Sequence, residues 1–138
     1  MDDLGFKAHG NALLAAVGIV GRRYLDKDNV RRRFLSELYD GAHPLDVERV
    51  PHGPESTRHL YQILSDRRDD LIAFLHSRAI YPGVHYQSNT DYPMYRYGSG
   101  RVPKARRWAD RVLSLPLHLR MSGEDVSQVA RAVGAFRL

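Results

Sequence analysis

The chain has 138 residues, 43% of them hydrophobic and 27% charged, with no cysteine and a formal net charge of +5. A chain of this length can bury roughly two-thirds of its unfolded surface, which suits a single domain with one modest core. The lack of cysteine excludes disulfides, thiolate metal sites and cysteine nucleophiles, and it leans towards the cytoplasm.

The longest apolar run, Ala12 to Val20, is nine residues, far short of the roughly 20 that span a bilayer. "MDDLGFKAHG" is acidic before it is apolar and does not read as a secretory signal. The basic charge comes from 21 Lys and Arg, of which only Lys7, Lys27 and Lys104 are lysines. An Arg-rich surface can meet nucleic acid or phosphorylated ligands, but a solvated surface is the preferred reading. Arg31, Arg32 and Arg33 fan over about 200° of a helix and cannot form one stripe.

In chain order, Asn11 to Tyr39 reads as helical. Leu13, Leu14, Val17 and Val20 set an amphipathic spacing, and Gly18 and Gly21 are expected to bend or break it. A second helix is expected from about Asp26, with Val30, Phe34 and Leu38 on its inner face and Gly41 as its stop. "LDVERV" alternates like a short strand, and "TRHLYQILS" is β-like. Asp66 is placed to cap a helix over "RRDDLIAFLHSRAI", with Asp69 and Asp70 in its first turn and Leu71, Ile72 and Leu75 inward. "GVHY" is a strand candidate. Pro103 opens a helix "PKARRWADRVLSL", with Trp108, Val112 and Leu115 on one face. "LPLHL" is read as a short extended piece. Ser122 and Asp125 form a capping-box pattern before a last helix that buries Val126, Val129, Ala130 and Val133. The pattern predicts a small α+β or α/β unit, helical over 4–41 and mixed over 42–138.

The seven histidines include no i, i+4 pair on a clear helix and no HExxH, so a metal site is not expected. No GxSxG, Walker or GxGxxG motif occurs. The most unusual stretch is "GVHYQSNTDYPMYRYGSG", Gly83 to Gly100. Five of the eight tyrosines lie between Tyr81 and Tyr97, without an obvious catalyst among them. Tyrosines beside Arg96 and Arg101 could stack on a single strand. Asp91 sits among them, however, and the loop carries little positive charge. For His85 the plain reading is a structural histidine bonded within a loop.

Three ordered stretches resemble the C-terminal part of the DegT/DnrJ/EryC1/StrS aminotransferases, pyridoxal-phosphate (PLP) enzymes that aminate nucleotide-linked keto-sugars. They are "LGFKAHGNALLAAVGIVGRRYLDKDNVRRRF", "RDDLIAFLHSRAIYPGVHY" and "VPKARRWADRVLSLPLHLRMSGEDVSQVARAV". The resemblance runs from Leu4 to Phe136. It implies the small C-terminal domain of a fold-type I aminotransferase, an α+β unit with a short, mainly antiparallel sheet flanked by helices. The family's hairpin is shorter here, where "HLYQILS" runs straight into "DRRDD". The family's large domain is not among these residues. With it are missing the strand that stacks on the PLP ring, the aspartate that pairs with the pyridine nitrogen and the Schiff-base lysine. Lys7, Lys27 and Lys104 lie in nothing like the family's lysine motif, so the chain is not expected to hold PLP or transaminate alone.

The family's G-x-N-x-R, which reaches a neighbouring subunit's cofactor phosphate, reads Gly5-Phe6-Lys7-Ala8-His9 here. The resemblance implies cofactor contacts from Lys7, His9 and Asn11, with Lys and His as altered phosphate donors. It implies substrate contacts from His85, Tyr86 and Tyr92.

Two functional expectations follow. One is a domain or subunit that completes the active site and dimer interface of a nucleotide-sugar aminotransferase with a separate large-domain chain, Met1 standing where a gene would be split. The other is a non-catalytic, degenerate or regulatory interaction protein of the same fold, or a truncated fragment of a full-length enzyme. The expected partners are a large-domain chain or further copies of this one. The apolar helix Ala12 to Val20 is the expected contact surface.

Overall fold

The computed structural model describes residues 10–42 and 47–136. They form helices α1 (Ala12–Gly41), α2 (Arg68–His76), α3 (Pro103–Arg111) and α4 (Gly123–Ala135), and strands β1 (Glu48–Arg49), β2 (Tyr61–Leu64) and β3 (Val112–Leu115). The strands lie in the order β1-β2-β3, both pairings antiparallel, with Tyr61 opposite Leu115 and Leu64 opposite Val112. This is the α+β arrangement that the sequence implied, a short antiparallel sheet flanked by helices.

Asn11 starts α1, its side-chain oxygen accepting the Leu14 N–H at 2.9 Å. The expected break does not occur: α1 runs unbroken for 30 residues. Gly18 and Gly21 each weaken a helix by about 1 kcal/mol against Ala, but unlike proline they keep the i→i−4 bond. The inner face also differs from the expected one. Leu38 of that face packs against the core, but Val30 and Phe34 are exposed, while Leu35, Ser36 and Tyr39 are buried. Tyr39 decides this rotation. It stacks on Tyr61 of β2, ring centres 4.6 Å apart, and its hydroxyl donates to the Pro116 carbonyl at 2.8 Å. Arg31 is not simply solvated, since its guanidinium donates to the Met121 carbonyl at 2.6 Å.

The core joins Leu35, Tyr39, Tyr61, Ile63, Leu71, Leu75, Leu113, Leu115 and the inner face of α4. Leu71 and Leu75 of α2 are buried as expected, with Ile72 packed at the core's edge. Asp66 does not cap α2; Arg67 occupies the cap position, its guanidinium donating to the Asp70 carboxylate at 3.0 Å, and Asp66 pairs instead with Arg111 at 2.6 Å. The helix opened by Pro103 stops at Arg111, and "VLSL" forms β3, buried at all four positions. Beyond it, Pro116 to Leu119 carries no regular element.

"GVHY" is reduced to one bridge. The Gly83 N–H donates to the Ser114 carbonyl at 2.9 Å, and the Ser114 N–H donates back at 2.7 Å. The tyrosine loop that follows winds into two 3₁₀ turns, Asn89–Asp91 and Pro93–Gly98. At α4 the expected capping box is formed: Ser122 Oγ accepts the Asp125 N–H at 3.1 Å, and Asp125 Oδ2 accepts the Ser122 N–H at 2.7 Å.

Candidate ligand-binding cavity

A cavity of about 510 Å³ opens between β2, the start of the tyrosine loop and α3. Side chains alternate along a strand. Tyr61 and Ile63 therefore enter the core, and Gln62 between them faces the other way, into the cavity. Its amide Nε2 donates to the His85 carbonyl at 2.7 Å and holds the loop against the sheet. The α3 wall presents Trp108, the only tryptophan of the chain, 43% exposed.

His85 sits close over Gly83. A Cβ at position 83 would lie 2.5 Å from His85 Cε1, so the ring's place depends on the missing side chain. The imidazole Nδ1 is buried and has no hydrogen-bond partner among the described residues. Tyr86 meets the His85 ring edge-on, centres 5.2 Å apart at 87°, and its own ring is 73% exposed. Further along, Ser88 and Thr90 share a hydroxyl–hydroxyl bond of 2.8 Å. Arg106 of α3 pairs with Asp91 and clamps the loop onto the helix. The carboxylate of Asp110, then that of Asp91, raises this guanidinium's already high pKa.

A second hollow, of about 660 Å³, continues along α3 and shares Thr90 and Val102 with the first. Much of its basic charge is answered within the chain. Arg106 pairs with Asp91 and Asp110, and Arg111 with Glu48 and Asp66.

Two of the expected site residues, His85 and Tyr86, come together in the cavity. Tyr92 is half-exposed and does not line it. Asn11 serves as the α1 cap. Lys7 and His9 lie outside the described residues. Sequence reasoning missed Gln62 and Trp108. The alternation of β2 points to Gln62, while the helical reading of "VLSL" sets Trp108 on one face with Val112 and Leu115, which the structure separates from it.

The cavity wall carries amides, hydroxyls, an imidazole, a phenol and an indole, with no Lys, Arg, Asp or Glu among its lining residues. It can hydrogen-bond a neutral polar ligand and stack one face of it. PLP requires an amine for its aldehyde and donors for its phosphate. Lys27 and Lys104 do not line the cavity, so the described residues do not fit covalent capture of that cofactor. Among the described residues no group of His, Asp and Glu could hold a metal ion, and no helix is long and apolar enough to cross a membrane.

The chain is 31% identical to dTDP-4-dehydro-2,3,6-trideoxy-D-glucose 4-aminotransferase of Saccharopolyspora spinosa, over 94% of this chain and 35% of that protein. Among solved structures it is similar to the aminotransferase TlmJ from Streptoalloteichus hindustanus, 30% identical with a TM-score of 0.74 over 88% of this chain and 35% of that one. It is likewise similar to DesV of S. venezuelae, 30% identical with a TM-score of 0.79 over 86% and 34%. The chain thus spans about a third of the length of the relatives it matches. The model of the DegT/DnrJ/EryC1/StrS aminotransferase family matches residues 1–134, and the chain belongs to that family.

Proposed function

We propose that this chain supplies the ligand-facing small domain of a PLP-dependent nucleotide-sugar aminotransferase, acting in the cytoplasm and completed by a large domain on another chain. His85 and Tyr86 meet the sugar nucleotide, with Gln62 and Trp108 completing the wall. Tyr92, outside the cavity, contacts the ligand or the partner protein. Lys7, His9 and Asn11 reach towards the cofactor phosphate, and the partner brings the lysine. The observation that carries this reading is a neutral, hydrogen-bonding cavity built around the His85–Tyr86 pair in a chain of this family.

The test is complementation. The Saccharopolyspora spinosa relative is expressed without the third that this chain matches, mixed with this chain and supplied with PLP. The reading expects a complex, a change in PLP's visible absorbance and amine transfer to a dTDP-keto-sugar. Absence of both complex and spectral change sinks it.

A second reading is a non-catalytic interaction protein of the same fold, favoured by the lack of any lysine in the cavity wall. It expects a complex whose turnover equals that of the large domain alone. Sequencing upstream of Met1 tests whether the chain is a fragment of a full-length enzyme.

A further inference from the structure

His85 lies across Ser114. Gln62, Ser114 and Gly83 stand side by side, Gln62 opposite Ser114 in the sheet and Ser114 opposite Gly83 in the bridge. Residues directly opposite each other in antiparallel pairs point to the same side. Here that is the cavity side, which Val112, two residues before Ser114, also lines. Gln62 holds the His85 carbonyl from one flank, at 2.7 Å. On the other flank the imidazole sits over Gly83, where a Cβ would lie 2.5 Å from Cε1, 3.2 Å from Nδ1 and 3.4 Å from Nε2. The ring thus turns its nitrogen-bearing edge down towards the sheet beside Ser114, which is only 3% exposed.

Each of these two residues carries an unanswered atom. Ser114 Oγ and His85 Nδ1 are both buried without a hydrogen-bond partner among the described residues, a state that folded chains rarely leave uncorrected. The adjacent main-chain donors are already spent, the Gly83 and Ser114 N–H groups each bonding the other's carbonyl.

We propose that Ser114 is a positioning residue for His85: its hydroxyl donates to the imidazole Nδ1 and so keeps the ring proton on Nε2. The hydroxyl turns about one side-chain bond and the imidazole about two, so the pair closes by rotation while the sheet stays in place. The direction follows from the donors. If Nδ1 donated instead, the buried hydroxyl proton would still lack an acceptor, and an orphaned donor is the rarer state in folded chains. With Nδ1 accepting, neutral His85 offers the cavity an N–H from Nε2, which is not enclosed as Nδ1 is. The ligand group that meets it is then an acceptor, a carbonyl, hydroxyl or phosphate oxygen. The tautomer stands on the packing alone; its meaning for a keto-sugar nucleotide rests on the aminotransferase reading.

The test is imidazole ¹⁵N NMR of the 138-residue chain at about pH 8, above the ordinary imidazole pKa. The signals lost in His85→Ala identify the residue. An unprotonated ring nitrogen resonates far downfield of a protonated one. The wild-type ring should show a single tautomer, with Nδ1 downfield and Nε2 protonated. Ser114→Ala should draw the two shifts together as the tautomers mix, and Ser114→Thr, which keeps the hydroxyl, should hold them apart. Ser114→Ala should also lower the denaturation midpoint, whereas losing a hydroxyl bonded to nothing would not. A wild-type ring protonated on Nδ1 would overturn the proposal. So would shifts unmoved by Ser114→Ala, or a midpoint that holds or rises in that variant. The wild-type spectrum is decisive even where a variant fails to fold. In the complex with the large domain, Ser114→Ala should weaken binding of the dTDP-keto-sugar about two- to tenfold, the net worth of one hydrogen bond. A wild-type complex that binds no sugar nucleotide would count against the aminotransferase reading, while the NMR result would still decide the tautomer.

Discussion

Replacing Gly83 by Ala probes how the cavity is built. Gly83 has an ordinary backbone conformation, and its hydrogen bonds to Ser114 use only main-chain atoms. The substitution therefore acts through space alone. The new Cβ would lie 2.5 Å from His85 Cε1, whereas carbon atoms rest at about 3.5–4.0 Å. The imidazole must retreat by about 1 Å. It can turn about two side-chain bonds, so the cost should be about 1 kcal/mol, at the low end of overpacking penalties. Chemical denaturation of Gly83→Ala, His85→Ala and the double variant measures this directly. The account expects the Gly83→Ala penalty to vanish when His85 is already Ala, and the His85 imidazole NMR signals to move in the single variant. Additive effects, or unmoved imidazole signals, would refute the packing argument.

Other expectations follow from the same geometry. Ser122→Ala removes the α4 cap and should cost about 1 kcal/mol in thermal denaturation; an unchanged midpoint would mean that Asp125 alone secures the helix end. Asp40 accepts the Tyr61 hydroxyl at 2.9 Å and Arg58 at 3.1 Å, so Asp40→Ala should cost about 1–2 kcal/mol. In a double-mutant cycle, part of that loss should disappear in Tyr61→Phe. Burial, and then the bond to Asp40, raises the Tyr61 phenol from its ordinary value near 10 to about 12. The folded chain keeps this proton when the unfolded chain loses it. Stability is therefore intact below pH 10 and falls between pH 10 and about 12, by at most about 3 kcal/mol from this group. Tyr39, raised chiefly by burial and then by the neighbouring Tyr61, acts in the same direction. Denaturation midpoints from pH 8 to 11 should fall less steeply in Tyr61→Phe.

Local signals fixed some elements well. Pro103 and Ser122 marked helix starts because N-terminal geometry is set by nearby residues, and α4's stripe followed from its period. Elements governed by tertiary contact were harder to read. "VLSL" continues the apolar spacing of α3, yet it is a strand buried on both faces, and such a strand carries no alternation to betray it. Which face of α1 turns inward depended on Tyr39 finding Tyr61, 22 residues away in the sequence. The site showed the same division. His85 and Tyr86 stood out through their loop and through resemblance to relatives. Gln62 and Trp108 enter only once β2 and α3 are set side by side.

The account's central claim is that this cavity forms one wall of an active site completed by another chain. The chain contains one tryptophan, Trp108, and it lies in that wall. In a ¹⁵N-labelled sample its indole N–H gives a single NMR signal. The measurement is a titration with the unlabelled large domain of the Saccharopolyspora spinosa relative, followed by its dTDP-keto-sugar. The account predicts that the Trp108 signal and those of Gly83 to Thr90 shift together, and that His85→Ala weakens the shift caused by the sugar nucleotide. Signals that stay in place through both additions would contradict it.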